Sequence, residues 1–220
     1  MVEIRIVFEG GILPNLNASA ATINNSEKLR EAFHKLLSNV VNPDAFNLIV
    51  EIGAGYKNAA NAFKKYALID TNTSLLIDLD GSKSIKQQRL KELEIEGSAN
   101  CVFFMVQEME AWILSQPDII EKCYNERFMR AKAGVSLKEL EPDLFTGHPD
   151  QIKKPSAKLK VLLSRYYSEM KGRTKKKKKY GKLKDAPFLI EHLDMSRLIE
   201  TFEDPKLLKE HIEKISTEPS

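Results

Sequence analysis

The sequence predicts an α/β protein, with a three-layer core of four mainly parallel strands covered by helices and a helical extension after it. Three observations carry this expectation. Four short runs rich in Val, Ile, Leu and Phe alternate with segments of helical period up to about residue 115. Two of these runs, Val7-Phe8-Glu9-Gly10-Gly11 and Leu75-Leu76-Ile77-Asp78-Leu79-Asp80-Gly81, leave an apolar strand through an acid and then a glycine. Beyond residue 115 the pattern is helical and interrupted by prolines. The expected division is therefore a core over residues 1–115 and a helical extension over 116–220, with a basic loop at 171–184.

Residues 2–8 are rich in Ile and Val and read as the first strand, with Glu9-Gly10-Gly11 as its exit. Residues 12–25 are polar and breaker-rich, which predicts a loop. A helix is expected from Ser26, with Leu29, Phe33, Leu36, Leu37 and Val40 on one face, ended by Asn42-Pro43. Phe46 to Ile52 is the second strand, closed by Gly53-Ala54-Gly55, and the alanine-rich residues 57–66 form the next helix. Residues 73–79 make the third strand. Residues 83–95 make a helix with Ile85, Leu90 and Leu93 inward, stopped by Gly97. Residues 99–106, apolar apart from Asn100, read as the fourth strand, covered on both faces.

A helix then starts near Gln107 and carries Trp112, a core residue in this reading. Residues 116–145 are helical fragments, and Pro155-Ser156-Ala157 opens a helix with Leu159, Leu162, Leu163 and Tyr166 on one side. Met170 to Lys179 is the only low-complexity run and reads as a mobile loop. Two amphipathic helices, 187–200 and 204–215, follow, the second opened by Asp204-Pro205.

The charge is unevenly spread. The chain carries 34 Lys and Arg against 31 Asp and Glu. Residues 151–184 alone hold 14 of the basic residues and one acid, Glu169, which leaves the rest of the chain with a net charge of −10. An acidic body with a basic segment suggests nucleic acid as a partner, through Lys175, Lys176, Lys177, Lys178 and Lys179. No apolar run approaches the roughly 18 residues of a membrane span, and Met1 to Phe8 lacks the basic leader of a secretory signal. Cys101 and Cys123 show no metal spacing and read as reduced thiols. A cytoplasmic location is expected. His34, His148, His192 and His211 also lack metal spacing, and Gly53-Ala54-Gly55 lacks the remaining residues of a phosphate loop.

The chemistry is expected at the strand ends. Ligands of parallel sheets gather outside the carboxyl ends of the strands, where Glu9, Asp78 and Asp80 fall. Asp78 and Asp80, two apart on a strand, would point to one face. Three converging carboxylates repel unless a cation sits among them, and hard oxygen donors favour magnesium, manganese or calcium. Glu108 or Glu110, at the start of the next helix, would reach the same edge.

A strand ending in Glu-Gly, then Asp78-x-Asp80 after a later strand, resembles the Toprim domain of topoisomerases, bacterial-type primases and overcoming-lysogenization-defect nucleases. Met105-Val106-Gln107-Glu108-Met109-Glu110-Ala111-Trp112, then Tyr180-Gly181-Lys182 and Phe202-Glu203-Asp204-Pro205, is similar to an uncharacterised prokaryotic Toprim-like family known only as a domain of unknown function. The resemblance implies a three-layer Toprim/Rossmann-like core and a magnesium- or manganese-dependent phosphoryl-transfer enzyme. Its ligands would be Glu9, Asp78 and Asp80, with Glu108 or Glu110 at a second metal, Glu9 as ligand or general acid/base, and Lys182 neutralising charge on the phosphate. Tyr56, Tyr66, Tyr124, Tyr166, Tyr167 and Tyr180 offer no distinguished nucleophile, so a nuclease is expected rather than a topoisomerase. The sequence has no Walker motif, so ATP use would come from a separate ATPase subunit, in phage defence or DNA repair. The alternative is a non-catalytic Toprim-like module that binds nucleic acid or protein.

Overall fold

A computed structural model describes residues 2–11 and 20–217. Strand β1 (Val2–Glu9) lies inside a four-stranded sheet between β2 (Phe46–Gly53) and β3 (Thr73–Asp78), and β4 (Val102–Met105) forms the far edge. All three pairings are parallel. Parallel neighbours require crossover connections, and these are helices α1 (Ala20–Leu37), α2 (Tyr56–Ala67) and α3 (Lys86–Glu92). Alternation along the strands builds two cores. Ile4, Ile6, Phe8, Leu76, Phe103 and Met105 face α1 and the C-terminal helices, while Val7, Leu75, Ile77 and Phe104 face α2 and α3. This is the three-layer α/β arrangement that the sequence predicts.

Gly53 ends β2 because nothing larger fits. An added Cβ would stand 2.2 Å from the Cα of Ala59 in α2. Past the sheet, α4 (Glu110–Leu114) is short and wholly buried, and Trp112 is fully enclosed as expected. Then follow α5 (Pro117–Asn125), β5 (Met129–Arg130), α6 (Leu137–Leu140), α7 (Pro142–Phe145) and α8 (Pro155–Tyr166). Ser136 opens α6 with a reciprocal capping box with Glu139. Residues of α4, α5, α8 and the later helices share one apolar cluster with β1 and α1.

Three expectations are corrected. The first crossover helix begins by Ala20 rather than Ser26, and the remainder of the expected loop, residues 12–19, lies outside the described residues. The basic run is not a loop. β6 (Tyr167–Lys171) and β7 (Thr174–Lys177) form an antiparallel hairpin turned at Gly172, and β6 also pairs with β5. The single helix expected over 187–200 is two, α9 (Lys182–Ile190) and α10 (Met195–Thr201). Asp194 causes the break, because its side chain caps α10 by accepting from the backbone of Ser196 and Arg197.

The chain closes with α11 (Glu203–Thr217), which packs on β4. Asp204 at its start is buried and does double duty. It accepts the Phe104 N–H of the edge strand at 2.9 Å and a Lys86 Nζ bond at 2.7 Å. An open strand edge is thereby blocked. Among the described residues, no helix is long and apolar enough to cross a membrane.

Candidate active site

The exits of β1 and β3 deliver two of the predicted acids to one place. Glu9 closes β1, and its Oε2 accepts the backbone N–H of Asp78 at 3.2 Å. Asp78 closes β3, is buried, and its Oδ1 accepts the Met109 N–H at 2.7 Å, just ahead of α4. The first residue of α4, Glu110, has no exposed surface. Its Oε1 accepts the Tyr180 hydroxyl at 3.0 Å, while its Oε2 has no hydrogen-bond partner. Lys182, the first residue of α9, donates to Asp78 Oδ2 at 2.8 Å and stands 3.9 Å from Glu110 Oε2. Three carboxylates thus share one ammonium whose side chain is still 43% exposed.

The electrostatics follow from this crowding. Burial is the main force raising the Glu9 carboxyl to about 7, with repulsion from Asp78 added and Lys182 pulling the other way. Burial likewise raises Asp78 and Glu110 above the usual carboxylate range, and Lys182 opposes both. For Lys182 itself burial works downward, but Asp78 and Glu110 outweigh it and hold the ammonium charged well above its ordinary value. The Tyr180 hydroxyl is pushed far up by burial and by the neighbouring Glu110. It therefore donates its proton rather than losing it.

The other predicted residues divide. Asp80 is not on the strand with Asp78. It sits in the turn beyond β3 with φ of 54°, exposed at the rim, and its charge raises both Glu9 and Asp78. Its N–H donates to the Gln107 carbonyl at 2.7 Å, and Gln107 N–H donates to the Gly81 carbonyl at 3.0 Å. Gln107 is also left-handed, with φ of 64°. Two non-glycine residues held in that region beside the acids store backbone strain where the two strands exit. Glu108 turns away from the cluster and accepts the Ser156 N–H at 2.7 Å, capping α8. Of the two candidate glutamates, Glu110 faces the site.

The lysine run also divides. Lys175, Lys176, Lys177 and Lys179 are exposed. Lys178 is buried, donates to Asp185 Oδ1 at 2.6 Å, and lies 5.2 Å from the Phe128 ring centre. It supports the fold rather than the surface. Asp185 also accepts the Gly181 N–H at 2.7 Å, so one carboxylate shapes the segment that carries Tyr180 and Lys182. Sequence reasoning passed over Tyr180 and Asp185. The one signal was Tyr180-Gly181-Lys182, read as a motif without a role for its tyrosine.

Among the described residues, no group of three or more His, Cys, Asp or Glu side chains is arranged to hold one ion. The cation among the acids is the Lys182 ammonium. The donors of the cluster are all oxygen, and one of them, Glu110 Oε2, is buried with no hydrogen bond and with the Lys182 ammonium 3.9 Å away. A cleft of about 610 Å³ opens elsewhere, lined by Leu144, His148, Lys158 and Arg165. It contains none of these acids, and the perturbed carboxyls rather than cleft volume single out the site.

Fold and site together define an α/β protein with an acid cluster at the carboxyl edge of a parallel sheet. A family model described as Domain of unknown function (DUF4276) matches residues 18–207, and the chain belongs to that family. No curated protein and no solved structure matches it.

Proposed function

We propose that the chain is a Toprim-like, metal-dependent phosphoryl-transfer enzyme, a nuclease acting on DNA or RNA. One observation supports this above the rest. Glu9, Asp78 and Glu110 gather where ligands of parallel sheets bind, and they face a single ammonium. Glu110 Oε2 is buried with no hydrogen bond and an ammonium no nearer than 3.9 Å, and a divalent cation or a proton would relieve it. Glu9, Asp78 and Glu110 would hold magnesium or manganese, with Asp80 at the rim. Such an ion supplies Lewis-acid stabilisation of a phosphoryl oxygen and lowers the pKa of a bound water.

The chain's own groups do the rest. Lys182, partly open to solvent, places a positive charge where a phosphate would develop negative charge. Glu9, whose carboxyl is raised to about 7 with no cation bound, would serve either as a ligand of the ion or, where it does not ligate, as the group that takes up and releases a proton. Tyr180 holds Glu110 in place through Oε1. A separate ATPase subunit remains part of this proposal, in phage defence or DNA repair.

A second reading, a non-catalytic nucleic-acid- or protein-binding module, is favoured by the close Lys182–Asp78 pair, which gives the acids a built-in counter-ion. The two separate on wild type, Glu110→Gln and Asp78→Asn, assayed for plasmid, single-stranded DNA and RNA cleavage with magnesium or manganese, and for a manganese-dependent rise in melting temperature. Cleavage and the rise in wild type, both lost in Glu110→Gln, are the expected results. No rise with either metal, and no cleavage by wild type, would sink the enzyme reading.

A further inference from the structure

We propose that the β6–β7 hairpin and the start of α9 form a track for the sugar–phosphate backbone of a nucleic-acid strand, one that recognises charge and not base sequence. This rests on the phosphoryl-transfer reading for what happens at the end of the track, but its binding claim is tested separately. A cleft of about 520 Å³ opens between the hairpin and the segment leading into α9. Lys171, Lys176, Lys177, Lys179 and Lys184 line it. Lys171 is paired with Glu169 at 3.2 Å, and none of the other four has an ion-pair partner among the described residues. Lys178, Glu169 and Asp185 complete the charged lining, with Asp185 paired to Lys178, so the border carries six lysines against two acids and forms an electrostatic funnel for a polyanion.

Two further features shape the inference. No aromatic side chain lines the cleft. Strand-binding grooves that hold bases do so by stacking on aromatic rings, so this one is left with the phosphates. The cleft also reaches Gly181, next to Lys182, which touches Asp78. The buried Lys178–Asp185 pair and the Gly181–Asp185 bond fix the hairpin to that segment. A strand bound on the lysines is thereby led toward the acids. Lys175, the remaining exposed lysine of the run, is not part of the lining.

The test is fluorescence anisotropy with labelled DNA and RNA homopolymers of each base, in EDTA, between about 50 and 200 mM salt. A variant with Lys176, Lys177, Lys179 and Lys184 changed to Gln is compared with one in which the same four become Arg. A control carries Gln at Lys28, Lys35, Lys65 and Lys206, exposed lysines outside the cleft. Each lost phosphate contact on a single strand reduces the slope of log K against log salt by about 0.7. The Gln variant is expected to flatten the slope by roughly 3, with the Arg variant and the control near wild type. Homopolymers of different bases should bind within a few-fold of one another. An equal loss in the control, an unchanged slope, or a tenfold preference for one base would overturn the track. Because no metal is present, binding must survive Glu110→Gln. Wild type that binds the strand but does not cleave it with magnesium or manganese counts against the catalytic reading alone, and cleavage by wild type with an unchanged salt slope in the Gln variant counts against the track alone.

Discussion

Replacing Glu9 by Gln should make the protein more stable at pH 8, although Glu9 belongs to the proposed site. Its carboxyl is held at about 7 against an ordinary value of 4.5, through burial first and the neighbouring Asp78 second. A carboxyl whose pKa is higher folded than unfolded binds its proton more tightly when folded. It favours the fold fully below about 4.5, and that contribution is lost as the pH rises through about 7. At about 1.4 kcal/mol per pH unit, the gap sets an upper bound of roughly 3 kcal/mol. Glu9 is partly open to solvent, and screening brings the figure to about 1–2 kcal/mol. Gln keeps an acceptor for the Asp78 N–H and removes the titration. Urea unfolding in EDTA from pH 4.5 to 8 measures it. The variant and wild type should coincide at the acid end, and the variant should lead by about 1–2 kcal/mol at pH 8. Manganese should narrow that lead by stabilising only wild type. A variant that is less stable than wild type at pH 8, or that follows the same pH profile, refutes the crowded-carboxylate account.

Lys182→Met should destabilise the protein by about 2 kcal/mol in urea at pH 8, less than a fully buried pair because the lysine is partly exposed. The loss should shrink toward pH 5, as Asp78 and Glu110, both already raised, take up protons in place of the missing ammonium. Tyr180→Phe removes the donor to Glu110 Oε1 and should cost about 1–2 kcal/mol in the same assay. Combined with Lys182→Met it should be non-additive, since both act on one carboxylate. Asp204→Ala should cost about 2–4 kcal/mol by stranding the Phe104 N–H and Lys86. Amide exchange should then show Phe104 losing protection.

The fold was legible because its signals are local. A doubly covered strand must be apolar on both sides, and β3 and β4 are buried along their whole length. The alternation of such runs with helical periods leaves few topologies for a parallel sheet. The hairpin was not legible for the opposite reason. Thr174 to Lys177 are all exposed, so no apolar alternation marks β7. Its pairing with β6 stands on backbone bonds and on the buried base at Tyr167 and Ser168. The break at residues 191–194 was missed because it depends on what Asp194 caps and on Gln116, whose side chain bonds its backbone N–H and carbonyl.

The site shows the same division. Glu9 and Asp78 could be placed from the sequence because strand ends of a parallel sheet share an edge. Asp80 could not be oriented by counting residues, since the chain leaves the strand between it and Asp78 and turns left-handed. Glu110 and Glu108 are equally acidic and two apart, and only the positions of α8 and Tyr180 decide which carboxylate caps a helix and which enters the cluster. The ammonium that compensates them comes from 104 positions after Asp78. Its placement depends on Asp185, three residues further along, which holds Gly181 on one side and Lys178 on the other. That carboxylate joins the two halves of the proposal. The lysine hairpin and the acid cluster are tied through the same short segment, so on this proposal a strand held by one would be presented to the other. Disturbing Asp185 should therefore weaken both strand binding and the compensation of Asp78, whereas neutralising the exposed lysines should weaken the first alone.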